Sequence, residues 1–435
     1  MKKYLVAAGL TATVLLAACG NDGANGAEES TGNEGGDASA DSIEVWAWDP
    51  NFNIAALEIA KEEYAEINPD VEVMINEFAQ DDIIQKLNTG LSAGTGSGLP
   101  NIALIEDYRA QSFLQAYPDA FFPLTDFFNE EDFASYKIAP TSLEDEHYAM
   151  PFDTGVTGLY IRTDYLEEAG YDPADLQDLD WNEYIEIGRD IKEATGKQLL
   201  TVDPNDLGQI RMMIQTAGSW YLEEDGATPN LENNEDLKMA FEIYKTLVDE
   251  ELGKPISDWS QYLAAFNSGE VASVPTGNWI TPSVRAEESQ SGNWTVLPFP
   301  KLPGADDAVN ASNLGGSSWY VLNVDGKETA AEFLSETFGS SEALYEELIT
   351  EVGALGTYLP AASSDAYQLE DEFFGGQQII SDFAEWSEQI PQVNFGLHTY
   401  SIEDVLAVEM QNYLNGKDID DVLADAQKEA EARLN

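Results

Sequence analysis

The chain has 435 residues, of which 81 are Asp or Glu and 20 are Lys or Arg, giving a formal net charge of −61. That balance argues against a nucleic-acid binder, which needs clustered Lys and Arg, and against docking on an anionic membrane through a basic patch. Hydrophobic residues at 43% and aromatics at 11% are ample for a packed core, so the acidity does not mean disorder. The length suggests two or three lobes, and a single cysteine leaves neither an intrachain disulfide nor an all-cysteine metal site.

Lys2 and Lys3 precede an apolar run from Tyr4 to Ala18, followed by Cys19-Gly20. A basic start, a short apolar region and small residues before a cut site describe a secretory signal, and the run falls short of the roughly 20 residues that span a bilayer. Leu16-Ala17-Ala18-Cys19 resembles a bacterial lipobox, which implies a lipid (palmitate) anchor on Cys19; the alternative is an ordinary signal peptide with an incidental cysteine. Residues 20 to 41 carry no aromatic or large aliphatic side chain and are expected to form a flexible tether. A body anchored to a membrane face without spanning it is the expectation.

From Ile43 the pattern is α/β. Ile43–Trp48 alternates like a strand, and Ile54, Leu57, Ala60, Tyr64 and Ile67 recur at helical spacing up to Pro69. A strand over Val71–Phe78 leads to a helix from about Asp81 with Ile84, Leu87 and Leu91 inward. The glycine-rich loop 94–100 then precedes a buried strand at Asn101–Glu106. This alternation predicts a mainly parallel sheet covered by helices. Residues 158–162 read as a strand, and Asp180 with Glu183 forms a capping-box signature for a helix to Ala194. A helix is expected over Glu235–Glu251, then strands at Val271–Val274, Thr295–Phe299 and Ser318–Leu322. Helices follow over Lys327–Phe338, Ser341–Glu351, Ile402–Leu414 and Ile419–Leu434, with Gly416 closing the third of these.

Catalytic motifs mostly fail. The glycines at 94, 96 and 98 lack a following Gly-Lys-Ser/Thr, and a calcium-loop start at Asp178 has Glu183 where Gly is required. With only His147 and His398, no histidine metal cluster can form, although a His–carboxylate site is still possible. No Gly-x-Ser-x-Gly elbow flanks a serine. The informative segments are strand ends rich in Trp, Asp and Asn, above all Trp46-Ala47-Trp48-Asp49-Pro50-Asn51-Phe52-Asn53 and Glu106-Asp107-Tyr108. Ligands of open α/β sheets bind beside such ends. Indole rings next to amides and carboxylates suit sugars, whose C–H faces stack while their hydroxyls bond.

With these segments, Pro151-Phe152-Asp153-Thr154-Gly155, Gly158-Leu159-Tyr160-Ile161-Arg162, Phe266-Asn267-Ser268-Gly269 through Gly277-Asn278-Trp279, and Asn313-Leu314-Gly315-Gly316 stand in a telling order. Together they resemble the family 1 extracellular solute-binding proteins, the carbohydrate-capturing lipoproteins of ABC importers. Within that family the opening segment is most similar to lactose, arabinose or arabino-oligosaccharide binders. The resemblance implies a type II periplasmic-binding-protein fold of two α/β lobes joined by three crossings, near 153–157, 311–316 and 356–361, with the ligand cleft between. It implies a signal peptide at 1–18, a lipidated tether at 19–41, a first lobe of 43–154 plus 314–357, and a second of 155–313 plus 358–435. The implied partners are a carbohydrate and membrane permease subunits, with no nucleic acid, no cofactor and no metal, and the implied form is a non-catalytic monomer at the extracellular face of the cell membrane. The competing classes are a secreted glycosidase or polysaccharide lyase, and a binder of a non-sugar solute.

The candidate ligand-binding residues are Trp48, Asp49, Asn51, Asn53, Glu106, Asp107, Asp153, Trp220, Trp279, Gly315, Gly316, His398 and Tyr400. Each has a structural alternative: Trp46 and Trp48 share strand parity, so one of them can belong to the core. Glu106 and Asp107 can cap a helix, Asp153 can serve the hinge, and Gly315 and Gly316 suit hinge freedom or close backbone approach. The surplus acid suits a solvated surface in high salt, the expectation for a salt-loving or alkaline-tolerant bacterium.

Overall fold

The computed structural model describes residues 42–94 and 96–434. The expected signal peptide, Cys19 and the tether lie outside the described residues. In chain order the strands are β1 (Ser42–Ala47), β2 (Glu72–Glu77), β3 (Ile102–Glu106), β4 (Ser142–Leu143), β5 (Glu146–His147), β6 (Ala149–Pro151), β7 (Thr157–Arg162), β8 (Leu200–Val202), β9 (Gly253–Pro255), β10 (Ser273–Gly277), β11 (Trp294–Pro298) and β12 (Ser317–Val321).

A first lobe forms around a five-stranded sheet of order β2-β1-β3-β12-β6, and a second around the sheet β10-β7-β11. β1 runs parallel to β2 and β3, as the alternation predicts. β12 runs antiparallel to both β3 and β6, which corrects the expectation of a mainly parallel sheet. The reason is its route: β12 enters from the second lobe at the end where β3 leaves, so Ser317 pairs with Glu106 and Val321 with Ile102. The second sheet is antiparallel throughout.

Helix Asn53–Ile67 buries Ala56, Leu57, Ala60 and Tyr64 along one face and stops at Asn68, ahead of Pro69. In helix Gln80–Ala93 the buried pair is Ile83 and Leu87, while Ile84 and Leu91 pack from its half-buried edge. The capping box before helix Trp181–Thr195 forms in full: Asp180 Oδ1 accepts from the backbone N–H of Asn182 and Glu183, and Glu183 accepts from Asp180. The helix expected over 341–351 splits into an α segment, Glu342–Glu347, and a π turn, Leu348–Val352. The wider turn lets Leu348 and Val352 enter the first-lobe core while Ile349 enters that of the second lobe.

The chain passes between the lobes after β6, between β11 and β12, and near Gly356. Isolated bridges stitch these passages together, Asp153 to Gly356 and Val156 to Asn313. Backbone bonds add to them, from Leu314 N to Gly155 O at 2.8 Å and from Thr157 N to Ser312 O at 3.0 Å. Among the described residues no helix is long and apolar enough to cross a membrane.

Candidate functional site

Where the crossings meet the first sheet, one buried ammonium organises the backbone. Lys137 Nζ pairs with Asp107 Oδ2 and donates to the carbonyls of Asp153 at 2.8 Å and Ser317 at 2.9 Å. Asp107 Oδ1 accepts from the Ser318 hydroxyl at 2.9 Å, and Asp153 Oδ1 accepts from Ser317 N at 2.7 Å. Burial pushes the Asp153 carboxyl up to about 7, against the pull of Lys137, and raises that of Asp107 as well. Both carboxylates are thus engaged by the crossings, with Gly316 (φ +86) placed so that a Cβ there would lie 3.2 Å from Asp107 Oδ2.

The opening segment divides as its parity allows. Trp46 is buried, donates from Nε1 to Glu44 Oε1 at 2.7 Å and meets Phe78 edge-on at 5.3 Å. Trp48 is half-buried beyond the strand end. Asp49 adopts φ +57 and accepts from Asn51 N at 3.0 Å, forming the turn that starts the helix at Asn53. Burial raises its carboxyl, with the N–H groups of Asn51 and Phe52 opposing. Asn53 is buried in that helix, whereas Asn51 is exposed and reaches the second lobe, donating from Nδ2 to Ser283 Oγ at 3.1 Å.

Trp279 leaves β10 and packs against the cores of both lobes. Its Nε1 donates to Leu314 O at 2.8 Å, and its ring centre lies 5.9 Å from that of Trp259, which is 42% exposed and 5.3 Å from Tyr262. Gly315 (φ +87) sits against it: a Cβ there would stand 3.2 Å from Trp279 Nε1 and 4.0 Å from Glu106 Oε1. Only glycine permits this backbone to pass the indole edge.

Glu106 stands at the N-cap position of the helix Asp107–Ala116 without a side-chain capping bond, and its Oε2 instead accepts from the hydroxyl of Tyr400, a second-lobe residue in helix Thr399–Leu414. Arg109 lays its guanidinium 3.6 Å over the centre of the Tyr400 ring and 4.0 Å from Glu106 Oε2. Arg211 lies 5.1 Å from the same ring and pairs with Glu403 at 3.2 Å, while Glu403 accepts from Tyr221 at 3.0 Å. Burial pushes the Glu403 carboxyl up to about 7, with Arg211 opposing. Trp220 lies behind this cluster, 3% exposed, donating to Thr399 Oγ1 at 3.1 Å. His398 is half-buried at the start of the Tyr400 helix.

The fold therefore gathers Glu106, Trp279, Gly315 and Tyr400 at the meeting of the lobes, with Asn51 bridging to the helix after Trp279. It gathers Asp107, Asp153 and Gly316 at the crossings, and it sets Trp220 in the second-lobe core. Sequence reasoning missed Trp259, Arg109, Lys137, Arg211 and Glu403. A local signal existed for two: Trp259 opens a helix capped by Asp258, and Arg109 stands one turn after Glu106. Among the described residues no group of three His, Cys, Asp or Glu side chains is disposed to hold a metal ion.

Comparison with known proteins accords with this geometry. The family profile described as bacterial extracellular solute-binding protein matches residues 60–374. A lactose-binding protein of Rhizobium radiobacter is 43% identical over 398 residues, covering 91% of this chain and 94% of the relative. An arabinooligosaccharide-binding protein of Halalkalibacterium halodurans is 26% identical over 341 residues, 75% of this chain and 74% of the relative. The fold matches the GacH receptor of Streptomyces glaucescens with a TM-score of 0.77 at 20% identity, over 90% of this chain and 98% of that one. It matches the β-1,6-galactobiose-bound protein of B. animalis subsp. lactis Bl-04 with a TM-score of 0.77 at 21% identity, over 91% and 97%. This chain belongs to the bacterial extracellular solute-binding proteins.

Proposed function

We propose that the protein is the sugar-capturing component of an ABC importer, taking a di- or oligosaccharide of the lactose or arabinose type between its lobes and delivering it to a membrane permease. The observation that carries this reading is the half-buried Trp279 wedged between both cores, with exposed Trp259 beside it and the Glu106 carboxylate across Gly315. Paired indoles offer flat apolar faces to sugar rings, and a carboxylate oxygen beside them accepts from hydroxyls. The identity to a lactose-binding relative over nearly the whole chain supports the same class.

In this reading Trp259 and Trp279 form the stacking floor. Trp48, Asp49, Asn51 and Glu106 supply the first-lobe rim, and Tyr400 with His398 closes the far end. Asp107, Asp153 and Gly316 serve the hinge, and Asn53 and Trp220 serve packing. The lobes comprise 43–154 plus 314–357 and 155–313 plus 358–435, joined at the three passages. The body works as a monomer at the extracellular face, tethered by lipid on Cys19, and releases its ligand chemically unchanged.

Calorimetry of residues 20–435 against lactose, arabino-oligosaccharides and monosaccharides tests the proposal, with chromatography of the recovered sugar. Saturable binding of an oligosaccharide that is recovered intact is expected. No heat with any saccharide, together with turnover of one, would overturn it.

A further inference from the structure

The two oxygens of Glu106 face different partners. Oε2 accepts from Tyr400 of the opposite lobe, while Oε1 lies beside Gly315, 4.0 Å from where a Cβ there would stand. The Tyr400 ring lies close to guanidinium groups from both lobes, Arg109 at 3.6 Å and Arg211 at 5.1 Å. Arg211 is itself held by Glu403, one helical turn after Tyr400, and Glu403 by Tyr221. A buried ion pair of this kind contributes little net stability against an apolar replacement, although breaking one partner leaves the other charge uncompensated. Burial, with the Glu106 charge adding to it, raises the Tyr400 hydroxyl well above the usual tyrosine range.

From this arrangement we propose that Tyr400 is an interlobe latch and Glu106 its coupler: one carboxylate oxygen binds a ligand hydroxyl while the other holds the second lobe closed. Arg211 and Glu403 act as positioning residues through the Tyr400 ring. The ligand half of the inference rests on the reading of the cleft as a sugar site; the closure half does not. A sugar that bonds Oε1 orients the carboxylate for Tyr400, and closure by Tyr400 orients it for the sugar, so the two events favour each other.

The test is Tyr400→Phe, which keeps the ring and both cation contacts and removes only the hydroxyl. Small-angle scattering should show a larger radius of gyration for the ligand-free variant than for the ligand-free parent, and calorimetry should show roughly tenfold weaker sugar binding. An unchanged radius of gyration, whatever the affinity, overturns the latch, and so does tighter binding, which would make Tyr400 a competitor of the sugar. If the parent binds no saccharide, the sugar reading fails while the ligand-free scattering still decides the latch.

Discussion

Lys137 is one cation among acceptors drawn from 30, 16 and 180 residues away in the chain. Replacing it with Met leaves the buried Asp107 carboxylate and two carbonyls without that donor, and should cost about 3–5 kcal/mol in denaturant unfolding. A loss below about 1 kcal/mol would mean that water or rearrangement supplies the missing donor. Trp259 and Trp279 should behave differently from each other. Trp259→Ala, at an exposed ring, should leave unfolding within about 0.5 kcal/mol of the parent yet weaken sugar binding by roughly 1.5–3 kcal/mol. Trp279→Ala should lose similar affinity and also stability, because that ring packs on both cores. Unchanged affinity in either variant would remove that ring from the site. Trp279 was legible because Gly277 and Asn278 before it mark a strand end. Lys137 was not, since nothing adjacent to it announces partners so distant.

At the scale of elements, the three passages carry a titration. Asp153 has its carboxyl pushed up to about 7 by burial, so the folded chain holds a proton that the unfolded chain releases near pH 4. Its contribution to stability is therefore fully present below about pH 4 and is lost as pH rises through about 7. Asp153→Asn, which keeps an acceptor for Ser317 N, should flatten the fall in stability between pH 4 and 8, measured as the denaturant midpoint against pH. Glu403 carries the same sign of shift, so the slope should shrink and not vanish. A variant as steep as the parent would assign the slope elsewhere. The elements themselves were mostly readable: alternation marked β1, residues 158–162 read as the strand that became β7, spacing marked Asn53–Ile67, and Asp180 with Glu183 announced a cap that forms in full. The antiparallel seat of β12 and the π turn at Leu348–Val352 were hidden for one physical reason. Both are decided by which lobe the chain must reach next, and local pattern does not encode that.

At the scale of the molecule, a charge of −61 implies self-repulsion that salt relieves. Raising salt from about 0.01 M to about 1 M shortens the screening length from roughly 30 Å to roughly 3 Å, and the thermal midpoint should climb across that range. Equal midpoints would count against adaptation to a saline medium. The cations are not only scarce; several are withdrawn from the surface. Lys137, Arg162 and Arg211 are buried, each within reach of a carboxylate. The face left to solvent is therefore somewhat more anionic than composition alone implies. A neutral saccharide would cross such an anionic shell without electrostatic work, whereas a sulfated or carboxylated one of the same shape should associate more slowly at low salt than at high salt. Burying Arg and Lys thus extends discrimination outward, from the contacts in the cleft to the counterion layer around it.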